Sequence, residues 1–227
     1  MADFRDLLQS GKLIIMASGN ESSCDSLTSQ ELTRAPQEER NRCILVGNLT
    51  RDYLQEESSN WPGLDQKLQE SYLYTLGTDV FSLWSQDRYA VDTGTSMAAP
   101  IVTGAAALVK SAYPNLSPEQ VRTCLLESAD RNFWIGEQHV VESRKTGEGL
   151  APNETAFDPS RYGKGVLNVR RALEYGKWLN VDSEASPEVI LEELAYTEAK
   201  AAQKIQNKAR QRVLKKKTLF QKQGFET

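Results

Sequence analysis

The stretch that most restricts how this chain can fold is Thr93-Gly94-Thr95-Ser96-Met97-Ala98-Ala99-Pro100, running directly into Ile101-Val102-Thr103-Gly104-Ala105-Ala106-Ala107-Leu108-Val109. Between Met97 and Val109 there is no charge, and Thr103 is the one polar side chain. A segment that is apolar all round belongs in an interior, so the pattern predicts one helix over 96–111, buried on all sides. Proline inside a helix deletes a hydrogen bond and clashes with the preceding turn, at about 3 kcal/mol, and is cheap only in the first turn. Pro100 therefore predicts a helix that starts just before it, with Ser96 at or next to the N-terminus. There the unpaired backbone N–H groups and the positive end of the helix dipole favour negative charge beside the Ser96 hydroxyl. Serine is also a common N-cap of ordinary core helices, so position alone assigns no chemistry to it. The small residues Gly104 to Ala107 let other backbones pack close to this helix.

The remaining elements follow from period and punctuation. Leu13-Ile14-Ile15-Met16-Ala17, after a short amphipathic segment and Ser10-Gly11, reads as a buried strand of a parallel sheet, and Cys43-Ile44-Leu45-Val46-Gly47 as a second. Strands are expected over 12–17, 43–47 and 72–81, and further helices over 118–129, 168–178 and 187–217. Ser117 before Pro118 and Ser186 before Pro187 mark two of the helix starts. Strands alternating with helices define an α/β fold, in which ligands sit beyond the carboxyl ends of the strands. Ser18-Gly19-Asn20 is placed there, although an Asn after Gly also suits a left-handed turn. Residues 21–42 read as surface loop with one helical turn, and 130–160 as an unpatterned insertion.

Composition sets the outer bounds. Apolar residues make up 39% and charged residues 26% of 227, as in an ordinary soluble globular protein with one sizeable domain. No run reaches the roughly 18 apolar residues of a membrane span, and Met1 to Asp6 lacks a signal-peptide pattern. As written, the sequence predicts a cytoplasmic protein. Cys24, Cys43 and Cys124 are odd in number and lack metal-ligand spacing, which predicts free thiols rather than a disulfide framework.

Gly94-Thr95-Ser96-Met97-Ala98-Ala99-Pro100 resembles the nucleophile motif of the subtilisin-like serine proteases. Other segments match that family in order. Met16-Ala17-Ser18-Gly19-Asn20 resembles its strand-ending Ala-Gly-Asn. Cys43 to Gly47 is similar to its strand ending in Val-Gly-Ala, with Asn48 in place of the alanine, and Ser59-Asn60-Trp61-Pro62-Gly63 to its Ser-Asn-aromatic-Gly turn. Tyr72 to Ser82 is similar to the strand leading to the nucleophile. Leu76 stands where a proline is usual, which predicts a looser turn. Arg161 to Leu173 matches the closing Gly-x-Gly strand and helix. The resemblance implies a subtilisin-like parallel sheet flanked by helices over 1–178, followed by a charged helical tail over 179–227. It implies hydrolysis of a polypeptide substrate, with Ser96 as nucleophile and Asn20 as donor to the oxyanion. Ala17, Ser18 and Gly19 would supply one wall of the substrate-binding pocket. No cofactor is called for, no motif marks a metal, and calcium is admitted only by the resemblance.

A serine hydroxyl needs a base and an orienting carboxylate. In the subtilisin order both precede the serine, and no Asp-x-Gly or His-Gly-Thr-His segment stands before Ser18 here. The one histidine, His139, falls in the unpatterned stretch and reads as a loop residue. The N-terminal half of the domain is therefore expected to be absent and the chain inactive alone. It would need a complementary N-terminal protease fragment supplying Asp and His; the alternative is a non-catalytic remnant or interaction module. A secreted origin fits if that part carried a signal. Residues 199–227 hold nine Lys/Arg against one acid, net +8, which leaves −12 for residues 1–198. That basic tail reads as a solvated helix or one that docks on an acidic surface. Ile205-Gln206 with Arg210 and Lys215 loosely resembles a calmodulin-binding IQ motif, with glutamine at position 211 in place of glycine. Without aromatic residues interleaved among the bases, no nucleic-acid partner is expected.

Overall fold

The structure, a computed structural model, describes residues 4–142, 150–182, 186–200 and 203. Its centre is a parallel sheet of three strands in the order β1 (Ile14–Ala17), β2 (Cys43–Leu49) and β3 (Tyr72–Leu76). All seven residues of β2 are buried, as expected of a strand covered on both faces. Val166 extends the sheet by one parallel bridge to Tyr74, with Gly165 O accepting from Tyr74 N–H and Leu167 N–H donating to Tyr74 O.

Side chains alternate across the strands, which divides the core in two. Leu45, Leu49, Tyr72 and Tyr74 point to one face. They pack there with Leu32 of α2 (Leu27–Arg34), Leu68 of α4 (Gln66–Gln69) and Tyr162 of α7 (Pro159–Tyr162). Gly47 lies under the Tyr74 ring, where an added Cβ would come within 2.1 Å of it. The other face, with Ile44, Val46 and Leu73, is covered by α5 (Thr95–Ala112), behind which lie α6 (Pro118–Glu127) and α8 (Val169–Val181). Ser117 and Gln120 close a capping box on α6 with Pro118 in its first turn, the start that the sequence announces. Arg122 of α6 donates from Nε to Cys43 O at 2.8 Å and from Nη2 to Glu70 O at 2.8 Å, tying the helix layer to the entries of β2 and β3.

Four expectations change. The helix over 95–112 is not buried on all sides. Thr95, Ala98, Val102, Ala105, Ala106 and Val109 are inside, while Ile101 and Leu108 are 36% and 54% exposed. An all-apolar helix keeps an open face when the sheet beneath it is narrow, and periodicity cannot report that. Pro100 is the sixth helical residue and not in the first turn. It has no N–H to donate to the Ser96 carbonyl four residues back, so the turn that carries the serine lacks that helix hydrogen bond. The strand expected over 72–81 breaks at Leu76. Beyond the turn, β4 (Val80–Trp84) and β5 (Arg88–Asp92) form a separate antiparallel hairpin. Gly77 ties that turn on both sides, its N–H to Leu49 O and its carbonyl to Gly94 N–H. Residues 21–42 carry the two-turn α2, capped by Ser26, and α3 (Gln37–Arg40), rather than one turn.

The stretch left unpatterned, 130–160, contains a three-stranded sheet of β6 (Phe133–Ile135), β7 (Gln138–Val141) and β8 (Glu154–Ala156). Phe133 and Val140 drop from it into the tyrosine side of the core. The described residues divide into two units, with the break between 183 and 184. In the second unit residues 187–200 are helical, and the rest of the helix expected to 217, including the Ile205-Gln206 motif, lies outside the described residues.

All three cysteines are free; Cys24 is exposed, Cys43 and Cys124 buried. Burial pushes both buried thiols up to about 12, and the Tyr72 phenol likewise up to about 12. A thiol-specific disulfide reagent at pH 8 should modify one cysteine in the folded protein and three after denaturation, with Cys24→Ser removing the fast reaction. A second fast thiol would mean that β2 or α6 is open. In the unfolded chain the thiols lose protons near about 8.5 and the phenol near about 10. The folded state holds these protons more tightly, so their contribution is intact below pH about 8 and lost as the pH rises towards 12. Urea unfolding midpoints measured between pH 8 and 11 should fall steadily.

Candidate active site

The sheet and helix bring together two segments that are far apart in sequence. β1 ends at Ala17, and Ser18-Gly19-Asn20 follows it across the N-terminus of α5. Thr95 N–H donates to Asn20 Oδ1 at 3.0 Å and the Thr95 hydroxyl donates to the same oxygen at 3.1 Å. The Thr95 hydroxyl also accepts from Gly19 N–H at 3.3 Å. Thr95 is fully buried. Asn20 thus caps a helix 75 residues away, filling the first orphan N–H that a local N-cap would otherwise take.

Gly94, the residue in the N-cap position, has no side chain to offer and adopts φ 152°, a conformation other residues rarely reach. A Cβ there would sit 3.4 Å from the Asn20 amide. Gly19 has φ 107°, and a Cβ would fall 2.3 Å from Glu21 Oε2 and 2.4 Å from Asn60 Nδ2. The left-handed turn is therefore made by Gly19, and Asn20 is free to use its side chain.

Ser96 is the second residue of α5 and is exposed. The helix-start bonds run from Met97 and Ala98 N–H to Gly94 O, and nothing among the described residues accepts the Ser96 N–H. Because Thr95 donates to Asn20 through its N–H, the accepting atom of that amide must be the oxygen, which leaves Nδ2 as the outward-facing group. No partner for Nδ2 stands among the described residues. Two donors without acceptors among the described residues, one backbone and one side-chain, therefore stand at the positive end of an 18-residue helix whose second residue carries an exposed hydroxyl. Such an arrangement can hold an oxygen that becomes negative beside Ser96.

Two further residues set this geometry, and the sequence alone assigned neither a role. Asn60 is fully buried. Its Oδ1 accepts from Glu21 N–H at 3.1 Å and Ser23 N–H at 2.9 Å, while Nδ2 donates to Ser18 O at 2.8 Å and Glu21 Oε2 at 2.7 Å. It anchors both ends of the loop that carries Asn20, and Ser18 is buried beneath that loop. Thr95 belonged to the recognised heptapeptide, but its bridge between Asn20 and Gly19 is visible only in three dimensions. The available signal was Asn60 in a Ser-Asn-aromatic turn. Ala17 closes β1 and Ser18 and Gly19 follow it, with Ser18 buried.

His139 is engaged elsewhere. On β7 its ring stacks on Trp134 with centroids 4.4 Å apart, and Nδ1 lies 3.9 Å from Glu154 Oε1.

Replacing Thr95 by Val keeps the shape but removes the bridging hydroxyl. It leaves the Gly19 N–H without an acceptor at a partly buried site, a loss of about 1 kcal/mol and at most about 3 kcal/mol. Thr95→Val should lower unfolding stability by that amount and Thr95→Ser by much less, as measured by urea denaturation. Equal effects of the two would show that the methyl group and not the hydroxyl matters.

Comparison with known proteins gives the family of the chain. Residues 5–165 match the model of the Subtilase family, Peptidase_S8. The curated relatives include the subtilisin-like protease SBT3.4 of Arabidopsis thaliana, 36% identical over 96 residues, which are 42% of this chain and 11% of that protein. The same plant's subtilisin-like protease SBT3.5 is 40% identical over 85 residues, 37% of this chain and 10% of its own length. The chain thus spans about a tenth of the length of these relatives. Among solved structures, the prenylagaramide maturation protease PagA superposes with a TM-score of 0.54 at 24% identity, covering 75% of this chain and 53% of that one. The self-cleaved protease domain of PatA superposes at 0.53 with 20% identity, covering 77% and 54%, and at such identities the likeness speaks for the fold. With the family model matching well over half of its length, in the fold and motif order described above, the chain belongs to the subtilase family.

Proposed function

We propose that this chain is the C-terminal part of a subtilisin-like serine endopeptidase domain, with Ser96 as the nucleophile and Asn20 as an oxyanion donor. The observation that carries the reading is the capping of the Ser96 helix by Asn20, which locks the amide oxygen and turns Nδ2 outward. In the proposed step, Ser96 Oγ forms a bond to the carbonyl carbon of a polypeptide substrate. The carbonyl π pair moves onto oxygen, and that charge is met by Asn20 Nδ2–H and the Ser96 N–H. The hydroxyl proton passes to an imidazole, which returns it to the leaving amine. Ala17 to Gly19 form one wall of the cleft that receives the residue before the cleaved bond.

His139 is held by Trp134, so the imidazole and its aspartate are assigned to the N-terminal portion of a peptidase domain. Without them the hydroxyl proton has no acceptor. The donors alone leave residual catalysis, with about 10⁶ of turnover missing, a figure taken from subtilisin, a member of this family. A degenerate, non-catalytic remnant is the competing reading, and the same experiment separates the two.

Purified chain, alone and mixed with an N-terminal subtilase fragment, is treated with a fluorophosphonate probe alongside Ser96→Ala. The expected result is no labelling alone, labelling in the mixture, and none with Ser96→Ala. Labelling of the chain alone at a protease-like rate overturns the assignment of the base. Absence of labelling in a mixture shown to associate establishes the remnant. Asn20→Ala should lower turnover of the mixture by about 10²–10³, the loss known for removing this donor in subtilisin itself.

A further inference from the structure

We infer that Asn48 is a positioning residue of the Ser96 site, linking the turn that holds the Asn20 loop to the turn that leads into Ser96. This rests on the function proposed above. Asn48 is the sixth of the seven residues of β2 and is fully buried. By alternation it shares a face with Ile44 and Val46, the face that α5 covers. It is the polar member of an otherwise apolar row, at the carboxyl end of the central strand, where α/β sheets place their chemistry. The resembled strand has alanine at this place, so the strand itself has no need of an amide.

The backbone of Asn48 is tied to one side of the site. Its N–H donates to Ser59 Oγ at 2.9 Å and its carbonyl accepts from Glu56 N–H at 3.1 Å. The next residue of that turn, Asn60, holds Ser18, Glu21 and Ser23 of the loop that carries Asn20. The side chain reaches the other side. Asn48 Oδ1 accepts from the Thr78 hydroxyl at 3.3 Å. It also lies against Gly77, where an added Cβ would fall 2.6 Å from Asn48 Oδ1, 2.8 Å from Gly94 O and 2.9 Å from Ala98 Cβ. Amide, carbonyl and helix start thus meet around one glycine. Gly94 N–H donates to Gly77 O at 2.9 Å, and Gly94 O accepts from Met97 and Ala98 N–H, so the position of Gly77 sets the first turn of α5 and with it Ser96.

The amide acts on geometry more than on stability. Asn48 Nδ2 is buried without a partner among the described residues, and an unsatisfied buried donor offsets what the Thr78 bond contributes. What the bond fixes is the turn at Gly77 and Thr78. Asn48 and Leu49 pair in register with Thr75 and Leu76, so the amide stands beside the place where a proline is usual and Leu76 leaves the backbone its freedom. A strand side chain that clamps the turn from below supplies the restraint that the leucine does not.

The test reads geometry separately from chemistry. Asn48→Leu keeps the branched shape and removes both polar atoms, while the half-buried Thr78 hydroxyl turns to water. Hydrogen exchange is followed by NMR on the full chain with isotope-labelled glycine, and unfolding is followed in urea. The expected result is an unchanged or higher urea midpoint, exchange of the Gly77 and Gly94 amides at least tenfold faster, and no change at Gly176 in α8. Thr78→Val should speed the same two amides and Thr78→Ser should not, and this pair decides the matter if Asn48→Leu fails to fold. In the mixture with an N-terminal subtilase fragment, Ser96 should take the fluorophosphonate at least tenfold more slowly in Asn48→Leu. Gly94 exchange unchanged in Asn48→Leu and Thr78→Val overturns the proposal. A lower midpoint with all glycine amides faster in parallel does the same, since it makes Asn48 an ordinary core group. Unchanged labelling despite faster Gly94 exchange overturns it too. Faster exchange at Gly94, with no labelling of the unaltered chain in a mixture shown to associate, keeps Asn48 as the clamp of the turn and rejects the catalytic reading.

Discussion

The hydrogen bonds from Thr95 to Asn20 Oδ1 are the constraint on which the rest of the site depends. They join the end of the first strand to the start of α5, two points separated by 75 residues. Each bond is worth only about 1 kcal/mol in net stability. Their larger effect is directional. With the oxygen committed to Thr95, the asparagine amide can present only its hydrogens to solvent, and it does so beside an exposed hydroxyl. The same pair satisfies the helix start without a local cap, which lets glycine occupy the position before Thr95 and brings the chain close to Asn20.

The loop that carries Asn20 is held from below as well as from the side. Asn60 spends all four of its hydrogen-bonding positions on that loop, and its own carbonyl accepts from the Tyr74 hydroxyl at 3.2 Å. Ser59 Oγ accepts from Asn48 N–H at 2.9 Å, tying the same turn to β2. Buried polar groups are costly unless satisfied, and the Asn60 side chain is satisfied at every position. The loop that carries Asn20 is therefore set by a strand end and a buried amide.

The apolar residues are distributed unevenly around this site. One face of the sheet is closed by tyrosines, α2, α4, α7 and the small sheet, and the other by α5 with α6 and α8 behind it. The free side of β1 and the outer stripe of α5 do not share in that closure. A parallel strand gains most when both neighbours are present, because its backbone groups alternate between them. The exposure of Ile101 and Leu108 is thus a property of sheet width and not of helix composition.

Much of the frame was legible from local pattern. Continuous apolar runs announced β1 and β2, Ser117-Pro118 announced α6 with its capping box, and Gly94 to Pro100 marked the helix that bears Ser96. These signals are local because strand burial, capping and proline geometry each depend on a few neighbouring residues. The amphipathic character of α5, the break after Leu76, the small sheet around His139 and the roles of Thr95 and Asn60 were decided by tertiary structure. Each depends on which surface arrives from tens of residues away, and a one-dimensional period carries no record of that. The sequence by itself determined that Ser96 stands at a helix start and Asn20 at a strand end; only the packing of α5 across β1 set the two side by side, because a hydrogen bond spanning 75 residues exists once the sheet has formed.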